Sequence, residues 1–126
     1  YVPSDYEEIF AQFRDRGQRV IALRDNPWVS AKLKPPECLA TGRKPQVCGV
    51  DRDRAMSPVD PTIAIAGKYP NMTFLDYTDG ICNDTYCPAV VGNIVVYRDF
   101  HHLTATYIRS FIPQLETDLQ RSLRWW

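Results

Sequence analysis

Residues 5–24 join a helical pattern directly to a strand pattern, and that junction narrows the possible folds more than any other stretch. In "DYEEIFAQFRDR" (5–16), Tyr6, Ile9, Phe10 and Phe13 recur at helical spacing, acidic residues open the first turn, and Gly17 follows the last one. These are the start and stop signals of an amphipathic helix. "QRVIALR" (18–24) comes next, a short apolar run closed by Asp25, Asn26 and Pro27, which reads as a buried strand. A helix feeding a fully apolar strand marks a parallel α/β sheet.

The remaining pattern continues that architecture. "SPVDPTIAIAGKYP" (57–70) predicts a helix to about Lys68, with Ser57 as its cap and Pro58 in its first turn. "MTFLDY" (72–77) and "IVVYR" (94–98) read as a second and a third strand. From Thr104 onward Tyr107, Ile108, Phe111, Ile112, Leu115 and Leu119 share one face, predicting a terminal helix to about Arg121, bent at Pro113. Residues 25–57 form a long Cys- and Pro-rich loop and 122–126 a tail, in which Trp125 and Trp126 read as disordered rather than as an interfacial anchor.

One domain is expected from 126 residues that are 44% apolar. Two or three strands make a poor independent sheet, however, because a parallel sheet needs both faces covered. The pattern is that of the C-terminal half of a doubly wound domain, and a chain opening on Tyr1 without Met reads as a piece of something longer.

Charge excludes some functions. Lys plus Arg equals Asp plus Glu at 15 each, so the bulk charge argues against a nucleic-acid partner. No run of 18 apolar residues and no basic start followed by an apolar stretch is present, so "YVPSDYEEIF" is neither signal peptide nor membrane span.

The four Cys permit three disulfide pairings, and spacing alone does not choose among them. Zinc prefers tight knuckles. The separations here, amid Pro35, Pro36, Pro45 and Pro88, favour locally closed loops, Cys38 with Cys48 and Cys82 with Cys87, over metal or free thiols. Such pairs imply an oxidising compartment outside the cytoplasm. The sequons at 71–73 and 83–85 carry little weight by themselves.

"VVYRDFHHLTATY" (95–107) carries the chemistry, with Asp99 followed by His101 and His102, the chain's two His. Three residues apart at a helix entry, Asp99 can orient one ring nitrogen of His102 and leave the other to act as a general base. The plainer alternative is a strand end at Asp99, a Thr104 cap and two surface His. The position after the last strand and before the last helix, where open α/β sheets place ligand-facing loops, favours the first reading. "RDNP" (24–27) ends another strand and allows two readings: Arg24 or Asp25 orients a substrate, or Asp25 builds a turn.

"CPAVVGNIVVYRDFHHLTATYIRSFIPQL", preceded by "TFLDYTDGIC", resembles the C-terminal end of the SGNH domain fused to membrane-bound acyltransferase-3 proteins, particularly the actinobacterial kind. "VIALRDNPW" (20–28), "ECL" (37–39) and "CGVDRDRAMSP" (48–58) extend the resemblance to nearly the whole chain. It implies a three-layer flavodoxin-like SGNH-hydrolase fold, of which this is the C-terminal portion. It also implies that Asp99 and His102 are two members of a Ser-His-Asp set, with His101 a pocket neighbour. The family's Gly-Asp-Ser nucleophile block and its oxyanion-hole blocks are missing from these residues.

The expected function is therefore an extracytoplasmic O-acyltransferase passing a short, acetyl-like group to a cell-envelope carbohydrate or glycolipid. Its partners would be the N-terminal half of the domain, carrying the Ser, and a membrane acyltransferase domain; no metal or organic cofactor is expected. An SGNH-type esterase and a non-catalytic, disulfide-stapled binding module are the alternatives.

Overall fold

The computed structural model describes residues 4–29 and 31–124. In chain order its elements are α1 (Ser4–Asp15), β1 (Val20–Leu23), α2 (Pro35–Ala40), β2 (Val50–Asp51), α3 (Arg52–Ala55) and α4 (Ile63–Ala66). These are followed by β3 (Met72–Leu75), β4 (Tyr86–Cys87), β5 (Val90–Val91), β6 (Ile94–Val95), α5 (Ala105–Ile108) and α6 (Ile112–Leu123). Trp125 and Trp126 lie outside the described residues. The chain divides into two compact units, one drawn from 4–24, 59–76 and 116–124, the other from 25–58 and 77–115.

The first unit holds the helix-to-strand junction. α1 buries Phe10, which packs with Ile65 and Tyr69. Gly17 ends the helix at a φ of 66°, a left-handed turn that costs glycine nothing, and the Gly17 and Gln18 N–H groups donate to Arg14 and Phe13 carbonyls. The chain then enters β1, which pairs in parallel with β3 from Val20 opposite Met72 to Leu23 opposite Leu75. Just past that ladder the Arg24 guanidinium donates to the Asp76 carboxylate at 3.0 Å, with only 8% of the Arg24 side chain exposed.

The helix expected over 57–68 shrinks to Ile63–Ala66. Asp60 accounts for the loss, because its Oδ1 accepts both the backbone N–H and the hydroxyl of Thr62. That local turn competes with helix hydrogen bonding until Thr62 is passed.

The second unit contains the larger core, in which Val29, Val50, Ala55, Ile81, Val96, Tyr97 and Tyr107 are buried together. Its strands are two-residue pieces: β2 pairs antiparallel with β4, and β5 with β6 in a hairpin whose turn starts at Gly92, φ 58°. The reading of 94–98 as a further strand of the parallel set is therefore corrected. Only Ile94 and Val95 belong to a strand, and it is antiparallel; Val96 and Tyr97 are apolar because they are fully buried in the core, not because they extend a sheet.

Among the described residues of 25–57 no helix or strand exceeds six residues, and disulfides fix the loops instead. Cys38 is bonded to Cys48 and Cys82 to Cys87, with Cα separations of 5.6 and 4.1 Å. The terminal helix is interrupted as expected near Pro113, α5 passing through a 3-10 turn, Arg109–Phe111, into α6. Among the described residues no helix is long and apolar enough to cross a membrane.

Candidate active site

The loop between β6 and α5 is pinned at both ends. The Arg98 N–H donates to the His102 carbonyl at 2.8 Å, Tyr97 bridges to Leu103, and the Thr104 N–H donates to the Val96 carbonyl at 2.9 Å. The Thr104 hydroxyl donates to the Val95 carbonyl at 2.6 Å and accepts the Tyr107 N–H, so the expected cap of the last helical segment is present.

Within that frame Asp99 is held from three directions. Its Oδ1 accepts the His101 N–H at 3.0 Å and the His102 N–H at 2.8 Å, and its Oδ2 lies 2.8 Å from Nδ1 of His102. Those two backbone donors, more than the imidazole, hold the Asp99 carboxyl well below the usual carboxylate range. An ionised carboxylate only accepts hydrogen bonds, so Nδ1 of His102 must carry the proton. Neutral imidazole then keeps its lone pair on Nε2. Slightly over half of the His102 side chain is exposed, at 52%, which leaves room for a reacting group. The arrangement is chemically a general base with its orienting carboxylate.

His101 has a different environment. Its ring stacks on the Trp28 indole with centroids 4.5 Å apart and planes 15° from parallel, and lies 4.1 Å from the His102 ring. Its carbonyl accepts the Asn26 side-chain amide at 3.3 Å. Asp25 accepts the Asn26 N–H at 2.8 Å through Oδ1 and the Trp28 indole N–H at 3.1 Å through Oδ2. Asp25 thus builds a turn and fixes a ring; Arg24 belongs to the first unit, paired with Asp76.

Trp28 escaped the sequence reading. Its signal was the repeated spacing, a carboxylate three residues before a ring N–H, at 25–28 as at 99–102.

Asp99, His101 and His102 each offer a ligand atom, all within 4.8 Å of one another, so these three could share a cation. Such an ion would compete for the carboxylate that accepts the His102 ring N–H. Tyr97, in the same loop, is fully buried and its hydroxyl has no hydrogen-bond partner among the described residues; burial pushes its ionisation far above the usual phenol range.

A carboxylate-oriented imidazole on a loop entering the last helical segment can act as a general base. The chain belongs to the family described as "SGNH domain (fused to AT3 domains)", whose model matches residues 3–117. It has no significant match among curated proteins or among solved structures. Family membership supports an SGNH-type acyltransferase or esterase domain.

Proposed function

We propose that this chain is the C-terminal portion of a single SGNH-like domain, of three-layer flavodoxin-like architecture, that transfers a short acyl group to a cell-envelope carbohydrate. The observation that carries the reading is the 2.8 Å contact between Asp99 and Nδ1 of His102, which leaves Nε2 as the basic atom. No Gly-Asp-Ser block occurs in the sequence, so the nucleophilic Ser comes from another segment of the domain. His102 Nε2 takes the Ser proton as its oxygen attacks the acyl donor; the donor's leaving group departs with that proton, and the acyl group stays on Ser. A sugar hydroxyl then gives its proton to His102 as it attacks the acyl-enzyme, the Ser–acyl bond breaks, and His102 returns that proton to the departing Ser oxygen.

The family's fusion to AT3 domains supports a membrane acyltransferase as the partner domain, and two disulfides support an extracytoplasmic place for this one. The exposure of His102 favours water as a second acceptor, the esterase reading.

The test compares the 126-residue chain with the same chain supplied with the Ser-bearing segment, covalently or separately. The chain alone is expected neither to hydrolyse activated esters saturably nor to be labelled by a serine-directed phosphonate. With the segment, both should appear, and His102→Ala should abolish turnover while His101→Ala weakens it less. Saturable, phosphonate-sensitive activity from the chain alone would overturn the half-site reading. Ser4, Ser57 and Ser110 would then be nucleophile candidates, together with Ser30, which lies outside the described residues.

A further inference from the structure

A single exposed apolar side chain is ordinary on any protein surface. Trp28 is 51% exposed, yet its neighbours Pro27 and Val29 are among the most completely buried residues. Its own N–H donates to the Ala55 carbonyl at 2.8 Å, and the Val29 N–H donates to Phe100 at 2.6 Å. The indole is therefore held out on a fixed backbone. Its one polar atom is already satisfied by Asp25, and one part of its ring surface is covered by His101. What it offers solvent is carbon, rigidly presented.

The His101 ring neighbours both the Trp28 and the His102 rings, so indole and base are no farther apart than two ring-to-ring separations laid end to end. We propose that the exposed indole of Trp28 is the platform on which a pyranose ring of the acceptor stacks. The sugar's C–H face lies on the indole surface that His101 leaves open, and its hydroxyl rim meets the edge of the ring that Asp25 holds. The inference rests on the acyl-transfer reading for its direction, but its geometry does not require it.

The chemistry selects a neutral saccharide. A pyranose combines an apolar C–H face with a polar edge, matching an aromatic surface bordered by a carboxylate, an amide and an imidazole. The Asp25 carboxylate at the indole edge disfavours an anionic occupant. Because backbone and ring are fixed before binding, little ordering cost is added.

The test is a titration of the 126-residue chain with cellotriose, whose β-linked rings present C–H faces, followed by the Trp28 indole N–H signal in proton–nitrogen correlation spectra. The signal is assigned by its loss in Trp28→Phe. A saturable shift with a Kd on the order of 1 mM is expected, accompanied by shifts of the His101 and His102 amides. Sorbitol, which lacks a ring face, should leave the signal in place. Trp28→Phe should weaken binding several-fold and Trp28→Ala should remove the amide shifts, while the β2 and β4 amides, in the same unit as Trp28, report that each variant is folded.

An indole signal unmoved by cellotriose well above that concentration overturns the proposal, as does an equal shift with sorbitol. A shift that follows protein concentration without sugar overturns it in favour of a second copy of the chain. The readout involves neither Ser nor turnover. Failure of the acyl-transfer reading would appear instead as undiminished turnover in His102→Ala, and would leave the binding result standing.

Discussion

Two loops of the second unit use one device. In the loop after β1, Asp25 accepts the ring N–H of Trp28; in the loop before α5, Asp99 accepts the ring N–H of His102, again three residues on. Both carboxylates also accept backbone N–H groups of their own turn, one for Asp25 and two for Asp99. The rings differ. Indole nitrogen only donates and does not titrate near neutral pH, so the first loop yields a fixed surface. Imidazole has a second nitrogen, so the same anchoring leaves a basic atom facing outward. The type of ring, more than the turn, decides what each loop does.

The largest expected effect comes from breaking the second loop. Asp99→Asn keeps an oxygen for the two backbone donors but turns an amide N–H toward Nδ1, favouring the wrong tautomer. In the protein carrying the Ser segment, kcat should fall by about 10⁴-fold while the variant remains folded. Wild-type kcat would reduce Asp99 to a turn residue. A smaller effect is expected from the first loop: Asp25→Ala removes two exposed hydrogen bonds, of which the one to the indole, about 1 kcal/mol, bears on the ring, so cellotriose affinity measured at the Trp28 signal should drop by about fivefold. An unchanged affinity would show that the indole holds its place without the carboxylate.

The pH dependence sharpens the comparison further. The folded-state ionisation of Asp99 is depressed, so its contribution to stability is present above the unfolded carboxyl value, about 3.9, and is lost as pH falls through the folded value. The melting-temperature gap between wild type and Asp99→Asn should therefore narrow as pH drops below about 4. A gap that widened with acid would contradict the assigned hydrogen bonds. The smallest effect is expected at Tyr97 in the second loop, where Tyr97→Phe removes a buried hydroxyl that has no partner among the described residues. Melting should rise, or stay level, by the equivalent of at most about 1 kcal/mol, with the Trp28 and His102 signals undisturbed.

How much was legible in the sequence follows from where the physics is local. α1 and β1 are periodic and bounded by Gly17, and they form where the pattern places them. Asp99 and His102 were visible because four residues contain the whole arrangement. Val96 and Tyr97 misled, since an apolar run looks the same whether it is buried in a sheet or in irregular chain. The shortened helix at 63–66 was hidden by Asp60, whose side chain captures Thr62. The stack of Trp28 on His101 joins residues distant in sequence, and no local period announces such a contact.

The span of the Asp99 contacts also bears on when the base is assembled. Aligning β1 with β3 requires a closure comparable to the 52-residue separation of Arg24 and Asp76, whereas Asp99 reaches His102 across three residues. Loops of about ten residues close in about 10–100 ns, and longer-range pairing is slower because more chain entropy is lost first. The carboxylate–imidazole contact therefore breaks and re-forms faster than the parallel ladder can be searched for, and it is never the slow step in folding.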